Sequence, residues 1–183
     1  IDDWGGWWGI SAKEFAEVLD RLPSEVDEIE LHINSPGGVI FDGWAIANSL
    51  RNHQARVVAV VDGLAASMAS VVAVAADELV MAPNSELMIH DVSGVIYGNA
   101  AEMGEFAELL DHFSDNIASL YAAKVGGTAA DWRDTMRGEA WFSADEAVAA
   151  GLADRVDSAA AANARNEIDL SGFRYQGRAL APK

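Results

Sequence analysis

Apolar residues recur along the chain with two periods, and the two periods alternate. Residues 11–22 put Phe15, Val18, Leu19 and Leu22 on one helical face. Ser11 followed by Glu14 makes a capping box at the start, and Pro23 stops the helix. At 28–34 the period drops to two, with Ile29, Leu31 and Ile33 on one side and His32 on the other, which predicts a strand. SPGG at 35–38 breaks that pattern. A second helix is expected to about Asn52, carrying Ile40, Trp44, Ile46, Ala47 and Leu50. Residues 55–61 (ARVVAVV) are short, β-branched and almost wholly apolar, the mark of a strand buried on both faces. Asp62-Gly63 reads as a turn, and a helix of small residues starts near Ser67. Two short strands, 78–81 and 86–90, are split by Pro83-Asn84. A long helix from about Ala100 to Val125 closes at Gly126-Gly127, and a short one covers about 129–137. Ser143 and Glu146 form a second capping box, for a helix that Gly151 ends.

Strand and helix in alternation predict an α/β layered fold with much parallel pairing. No internal repeat stands out. From about Asp157 the composition shifts to alanine, asparagine and arginine. The chain therefore divides into a domain over 1–157 and an extension over 158–183, expected to be peripheral or partly disordered.

Composition narrows the function. An apolar fraction of 51% excludes a disordered chain. A net charge of −17 keeps the surface soluble and argues against nucleic-acid binding. With no cysteine there is no disulfide framework, no thiolate metal site and no thiol nucleophile, which fits a cytoplasmic location. No metal and no cofactor is expected. No apolar run reaches the roughly 20 residues a membrane span needs, and the opening IDDWGGWWG is unlike a signal peptide.

Three places carry the elements of nucleophilic chemistry. A serine nucleophile needs a base to take its proton and backbone N–H donors aimed at the oxyanion. Ser67 follows a buried strand and opens a helix of small residues, a setting where a serine can equally be a plain helix cap. The glycines of SPGG allow backbone conformations that expose an amide to a ligand, although such a pair also makes ordinary turns. His90 ends a short strand, where sites form in α/β sheets. Of the other histidines, His32 lies on a strand face, His53 at a polar helix end and His112 within the long helix.

INSPGGVIFDG (33–43), DGLAASMAS (62–70) and APNSELMIH (82–90) resemble, in order, the signature blocks of the Clp protease proteolytic subunit family. The spacing of Gly38 and Ser67 agrees with that family. The spacing of Ser67 and His90 is slightly tighter, with the deficit near Ala76–Asp77. The likeness covers most of 10–157. It implies a ClpP/crotonase-like spiral of βαβ units with a protruding handle helix, which residues 100–125 would supply. It implies a serine endopeptidase with Ser67 as nucleophile, His90 as general base, and the N–H groups of Gly38 and Met68 as the oxyanion hole. The third triad member falls on Glu139, where the family usually has aspartate, before WFSADEA (141–147). Asp134, Asp145 and Asp91 are rivals for that role. The segment after the base, about 92–98, would pair with a peptide as a strand, making Val92, Ser93 and Gly94, together with Gly37, substrate-binding residues.

The resemblance also implies a homo-oligomeric ring, heptameric or stacked, acting on peptide or protein substrates. The family's axial segment, which engages an ATPase, has no counterpart in this sequence, leaving an unfoldase partner open. GGWWG, FDGWAI, EAWFSADEA and DLSGFRYQG resemble the phage-encoded branch associated with head maturation, processing capsid precursors in the host cytoplasm. Three other readings compete: a signal-peptide-peptidase-like enzyme with a serine–lysine dyad, a crotonase-like acyl-CoA enzyme, and a catalytically silent ring scaffold. Lysine occurs only at 13, 124 and 183, none at a strand end leading to a site.

Overall fold

The computed structural model describes residue 1, residues 9–157 and residues 168–182. The elements run α1 (Ala12–Leu19), β1 (Glu28–Ser35), α2 (Ile40–Arg51), β2 (Arg56–Ala66), α3 (Met68–Val74), β3 (Glu78–Met81), β4 (Glu86–Ile89), α4 (Ala100–Val125), α5 (Ala129–Arg137), β5 (Ala140–Ser143), α6 (Ala144–Ala149) and β6 (Arg155–Val156). A 3-10 turn at Arg178–Leu180 follows. The fold is α/β, as the alternating periods require.

β2 is the spine. Its first half pairs in parallel with β1 and, on the opposite edge, with β3. From Leu64 onward β4 replaces β3 along that edge, also in parallel. β6 extends the sheet beyond β3, and β5 closes the other end antiparallel to β4. A strand paired on both edges and covered on both faces has no place for polar side chains, which is why Val57 to Val61 are uniformly apolar and buried. The chain does not turn back at Asp62-Gly63 as the sequence suggests; the strand continues to Ala66, with a shift of register against β1 between the Ile33–Val61 and Ser35–Ala65 pairs. Asp62 stays buried in it because its carboxylate bonds the His32 ring, 2.9 Å away.

One face of the sheet carries the main core, built from α2, α3, α6 and the second half of α4. The other face is smaller. There Leu64, Ala66, Met88 and Trp141 are covered by Ile168, Leu170, Phe173 and Tyr175 of the C-terminal segment. The described part of the extension thus packs on the sheet rather than hanging loose; residues 158–167 lie outside the described residues.

All the capping boxes are local. Ser11–Glu14 and Ser143–Glu146 form as their spacing predicts, and Asn99–Glu102 and Thr128–Asp131 add two more. α4 is 26 residues, about 39 Å at 1.5 Å per residue. Its buried residues, Ser114, Ile117, Ala118 and Tyr121, all lie in its second half. No residue of the first half is buried, and Met103 and Leu109 are exposed there.

Candidate active site

Ser67 sits between the end of β2 and the start of α3 with φ 53° and ψ −127°. A non-glycine residue held there stores strain that its surroundings must hold in place. Three contacts do so. The Ser67 N–H donates to Met88 O at 2.9 Å. The Ser67 carbonyl accepts from the Ser70 hydroxyl at 2.6 Å, and Ser70 in turn bonds the buried Tyr121 hydroxyl at 2.8 Å. Gly37 closes the turn from behind: a Cβ at that position would lie 2.7–2.9 Å from Ala66 O, Ser67 Cβ and Met68 N.

The Ser67 hydroxyl does not cap α3. It lies 2.8 Å from His90 Nε2 instead. This decides between the two roles open to a serine at a helix start. His90 follows β4 directly, so the parallel pairing of β4 with the end of β2 brings base and serine together. Burial pushes the imidazole below its ordinary value, while the charges of Glu139 and Asp91 oppose that shift. A base held neutral in this way is ready to accept a proton.

Gly38 and Met68 flank the serine. Both line one cavity of about 540 Å³ together with Ser67 and His90. Met68 opens α3, so its N–H has no acceptor within the helix. Among the described residues the Gly38 N–H makes no hydrogen bond. Val92, Ser93 and Gly94 line the same cavity; Gly37 is not among its lining residues and stands behind the serine turn. The floor is apolar, formed by Phe106, Leu110, Phe113 and Ile117 of α4.

Glu139 is buried, with φ 54°. Its charge acts on His90, yet no hydrogen bond joins the two. Its Oε1 accepts from the Trp141 indole at 3.1 Å and the Tyr175 N–H at 2.7 Å, and its Oε2 from the Arg174 N–H at 2.7 Å. The rival acids are engaged elsewhere. Asp91 is held by Arg133, whose Nε and Nη2 reach its two oxygens at 2.7 and 3.2 Å. Asp134 is exposed and pairs with Arg137, and Asp145 lies in the first turn of α6.

Two features escaped sequence reasoning. Arg133 is buried and also bonds Asp111 and Asp115, tying the segment after His90 to α4 and α5; Asp91 foremost holds its guanidinium above its ordinary range. Its partners lie in two segments distant from it in sequence, the stretch after His90 and α4, so no local spacing signals them. The second is the C-terminal segment, whose Phe173 ring stands edge-on to His90 at 5.6 Å. Its alternation of Ile168, Leu170, Phe173 and Tyr175 is the only sequence hint that it packs. Among the described residues no cluster of His, Asp and Glu could hold a metal ion.

A strained serine after a buried strand, within reach of a half-buried histidine, is the site class that serine hydrolases use. Comparison with known proteins gives the family. Residues 11–159 match the family model described as Clp protease. The chain is 38% identical over 156 residues to the ATP-dependent Clp protease proteolytic subunit 1 of Streptomyces coelicolor, covering 83% of this chain and 70% of that protein. It is 34% identical over 133 residues to the ATP-dependent Clp protease proteolytic subunit 3 of Rhodococcus jostii, covering 72% and 66%. The chain belongs to the Clp protease family, a family of serine-type peptidases whose members form oligomeric rings.

Proposed function

We propose that this chain is a serine endopeptidase that works within a homo-oligomeric ring. The observation that carries the reading is the 2.8 Å contact between the Ser67 hydroxyl and His90 Nε2, made by a serine that leaves its helix uncapped. In this reading His90 takes the hydroxyl proton as Ser67 Oγ attacks the scissile carbonyl carbon. The carbonyl oxygen becomes an oxyanion facing the N–H groups of Gly38 and Met68. His90 then passes the proton to the leaving amine, and water, activated by the same imidazole, hydrolyses the acyl-enzyme. Glu139 is the acid that orients and supports the imidazolium. The reaction needs no cofactor.

Val92, Ser93 and Gly94 form the peptide-binding edge, and the apolar floor beside Ser67 favours an apolar side chain at the cleaved residue. The exposed first half of α4 is the surface through which copies assemble, in heptameric or stacked rings. The narrower reading is processing of phage capsid precursors in a bacterial cytoplasm. It rests on FDGWAI, EAWFSADEA and DLSGFRYQG, and on GGWWG, most of which falls on residues 2–8, outside the described residues. No helix of the described residues is long and apolar enough to cross a membrane. Among the described residues the serine–lysine alternative has no support at Ser67: Lys124 pairs with Asp154, and Lys13 lies exposed on α1, while Lys183 lies outside the described residues.

A fluorophosphonate probe tests the reading. It should label the chain at Ser67, and Ser67→Ala and His90→Ala should each reduce labelling to background. Labelling that survives either substitution refutes the assignment.

A further inference from the structure

Glu139 has one more rotatable bond than the aspartate the family usually carries, so its carboxylate needs more to hold it. The holding groups are not supplied by the family domain alone. Besides the Trp141 indole, they are the backbone N–H groups of Arg174 and Tyr175, beyond the matched residues 11–159. A carboxylate offers about four acceptor positions. Three are filled, two on Oε1 and one on Oε2, and the open one is on Oε2. The His90 ring bonds only Ser67 among the described residues; with Nε2 accepting from the hydroxyl, the neutral imidazole carries its proton on Nδ1.

The segment that brings the two amides is itself well anchored. Arg178 forms a two-pronged ion pair with Glu146, at 2.5 and 2.6 Å, and its N–H donates to Glu86 at 2.9 Å. Ile168, Leu170, Phe173 and Tyr175 cover the small core on that face. Phe173 touches both sides of the question: its ring lies 5.6 Å from the His90 ring and 6.0 Å from that of Trp141, and it lines the cavity beside Ser67.

We propose that residues 168–182 complete the catalytic site: the Arg174 and Tyr175 amides are positioning groups that orient the Glu139 carboxylate toward His90, and Phe173 fixes the plane of the imidazole. This rests on the peptidase reading with Glu139 as the acid. The opposite role for the same contacts, a strap that withholds Glu139 from His90, predicts a faster rate for Arg174→Pro.

Arg174→Pro removes one donated N–H, and Gln176→Pro puts the same ring at a position whose N–H makes no such bond. The full-length chain is compared by fluorophosphonate labelling rate, by kcat and KM on a peptide, and by the acid limb of the pH–rate profile. Arg174→Pro should slow labelling about 10-fold, in kcat and not in KM, as loss of an orienting partner does. Gln176→Pro should label at the parent rate. On a Glu139→Gln background Arg174→Pro should add nothing, because the two act through one carboxylate. Glu139→Gln should move the acid limb to lower pH, since it removes a negative charge that supports the imidazolium. An unchanged Arg174→Pro rate overturns the proposal, and so does a further 10-fold loss on the Glu139→Gln background. A faster rate makes the segment an inhibitory strap. If the parent chain itself is not labelled at Ser67, the peptidase reading has failed, and this inference with it.

Discussion

Gly37→Ala is the sharpest probe of how the site is built, because it removes no side chain that the proposed reaction uses. The new methyl would stand 2.7 Å from Ala66 O, 2.8 Å from Ser67 Cβ and 2.9 Å from Met68 N. None of these is the tip of a flexible side chain, so backbone has to move by about 0.5 Å or more to restore ordinary contact near 3.4 Å. The position also has φ 102°, which an alanine adopts only with strain of about 1–3 kcal/mol. Together these predict a loss of stability of about 2–4 kcal/mol, a fall in melting temperature on the order of 5–15 °C for a chain of this size. The same movement displaces Ser67 and the Met68 amide, and misplacement of that order costs up to about 100-fold in rate. Gly104→Ala is the matched control. Nothing lies within 4 Å of its Cβ, and it sits in the exposed half of α4, so alanine should stabilise by about 1 kcal/mol with no change in labelling. The assays are thermal melts and fluorophosphonate labelling. If Gly37→Ala melts and labels like the parent, the serine turn is not braced by the glycine loop and the reasoning fails.

Three further outcomes follow from the same geometry. Because burial lowers the His90 pKa, the acid limb of kcat/KM should fall below about 6.5, the ordinary histidine value; a limb above 7 would contradict the balance of burial over charge. Arg133→Met leaves Asp91 without its buried partner beside His90, which should cost about 2–3 kcal/mol in urea unfolding, less than a fully buried pair because Asp111 and Asp115 face solvent, and should raise the acid limb. His32 has its pKa raised, first by its bond to Asp62. Its contribution to stability is therefore complete below the unfolded histidine pKa and lost as pH rises through the folded one, so His32→Asn should lower the melting temperature more at pH 6 than at pH 9; equal losses would show that the His32–Asp62 contact works without charge.

Much of the fold is legible because its signals are local. The alternation of Ile29, Leu31 and Ile33, the capping boxes, and the β-branched run before Asp62 each depend on neighbours a few residues away. Ser67 and His90 were found through motifs, and the reason they meet is that β4 pairs in parallel with the end of β2. The Asp62-Gly63 pair misled because turn propensity is weak against a strand paired on both edges. It also concealed the partner, since His32 lies 30 residues away. Arg133 and the Arg174–Tyr175 amides were illegible for the same reason: their partners are set by tertiary packing, and a backbone N–H donor leaves no mark on residue type. The positive φ of Glu139 is likewise silent, since glutamate gives no cue of the kind glycine does at 37 and 38.

The span between Glu139 and Tyr175 has a consequence for the time at which the site exists. A ribosome adding about 5–20 residues per second needs about 2–7 s to go from one to the other. During that interval Ser67, His90 and the strands that join them have already been made, yet the acid's carboxylate lacks two of its donors. A nascent chain therefore reaches its full complement of bonds around the acid only after residues 168–182 have left the exit tunnel. The order of synthesis delays the finished site until the sheet that carries it is complete.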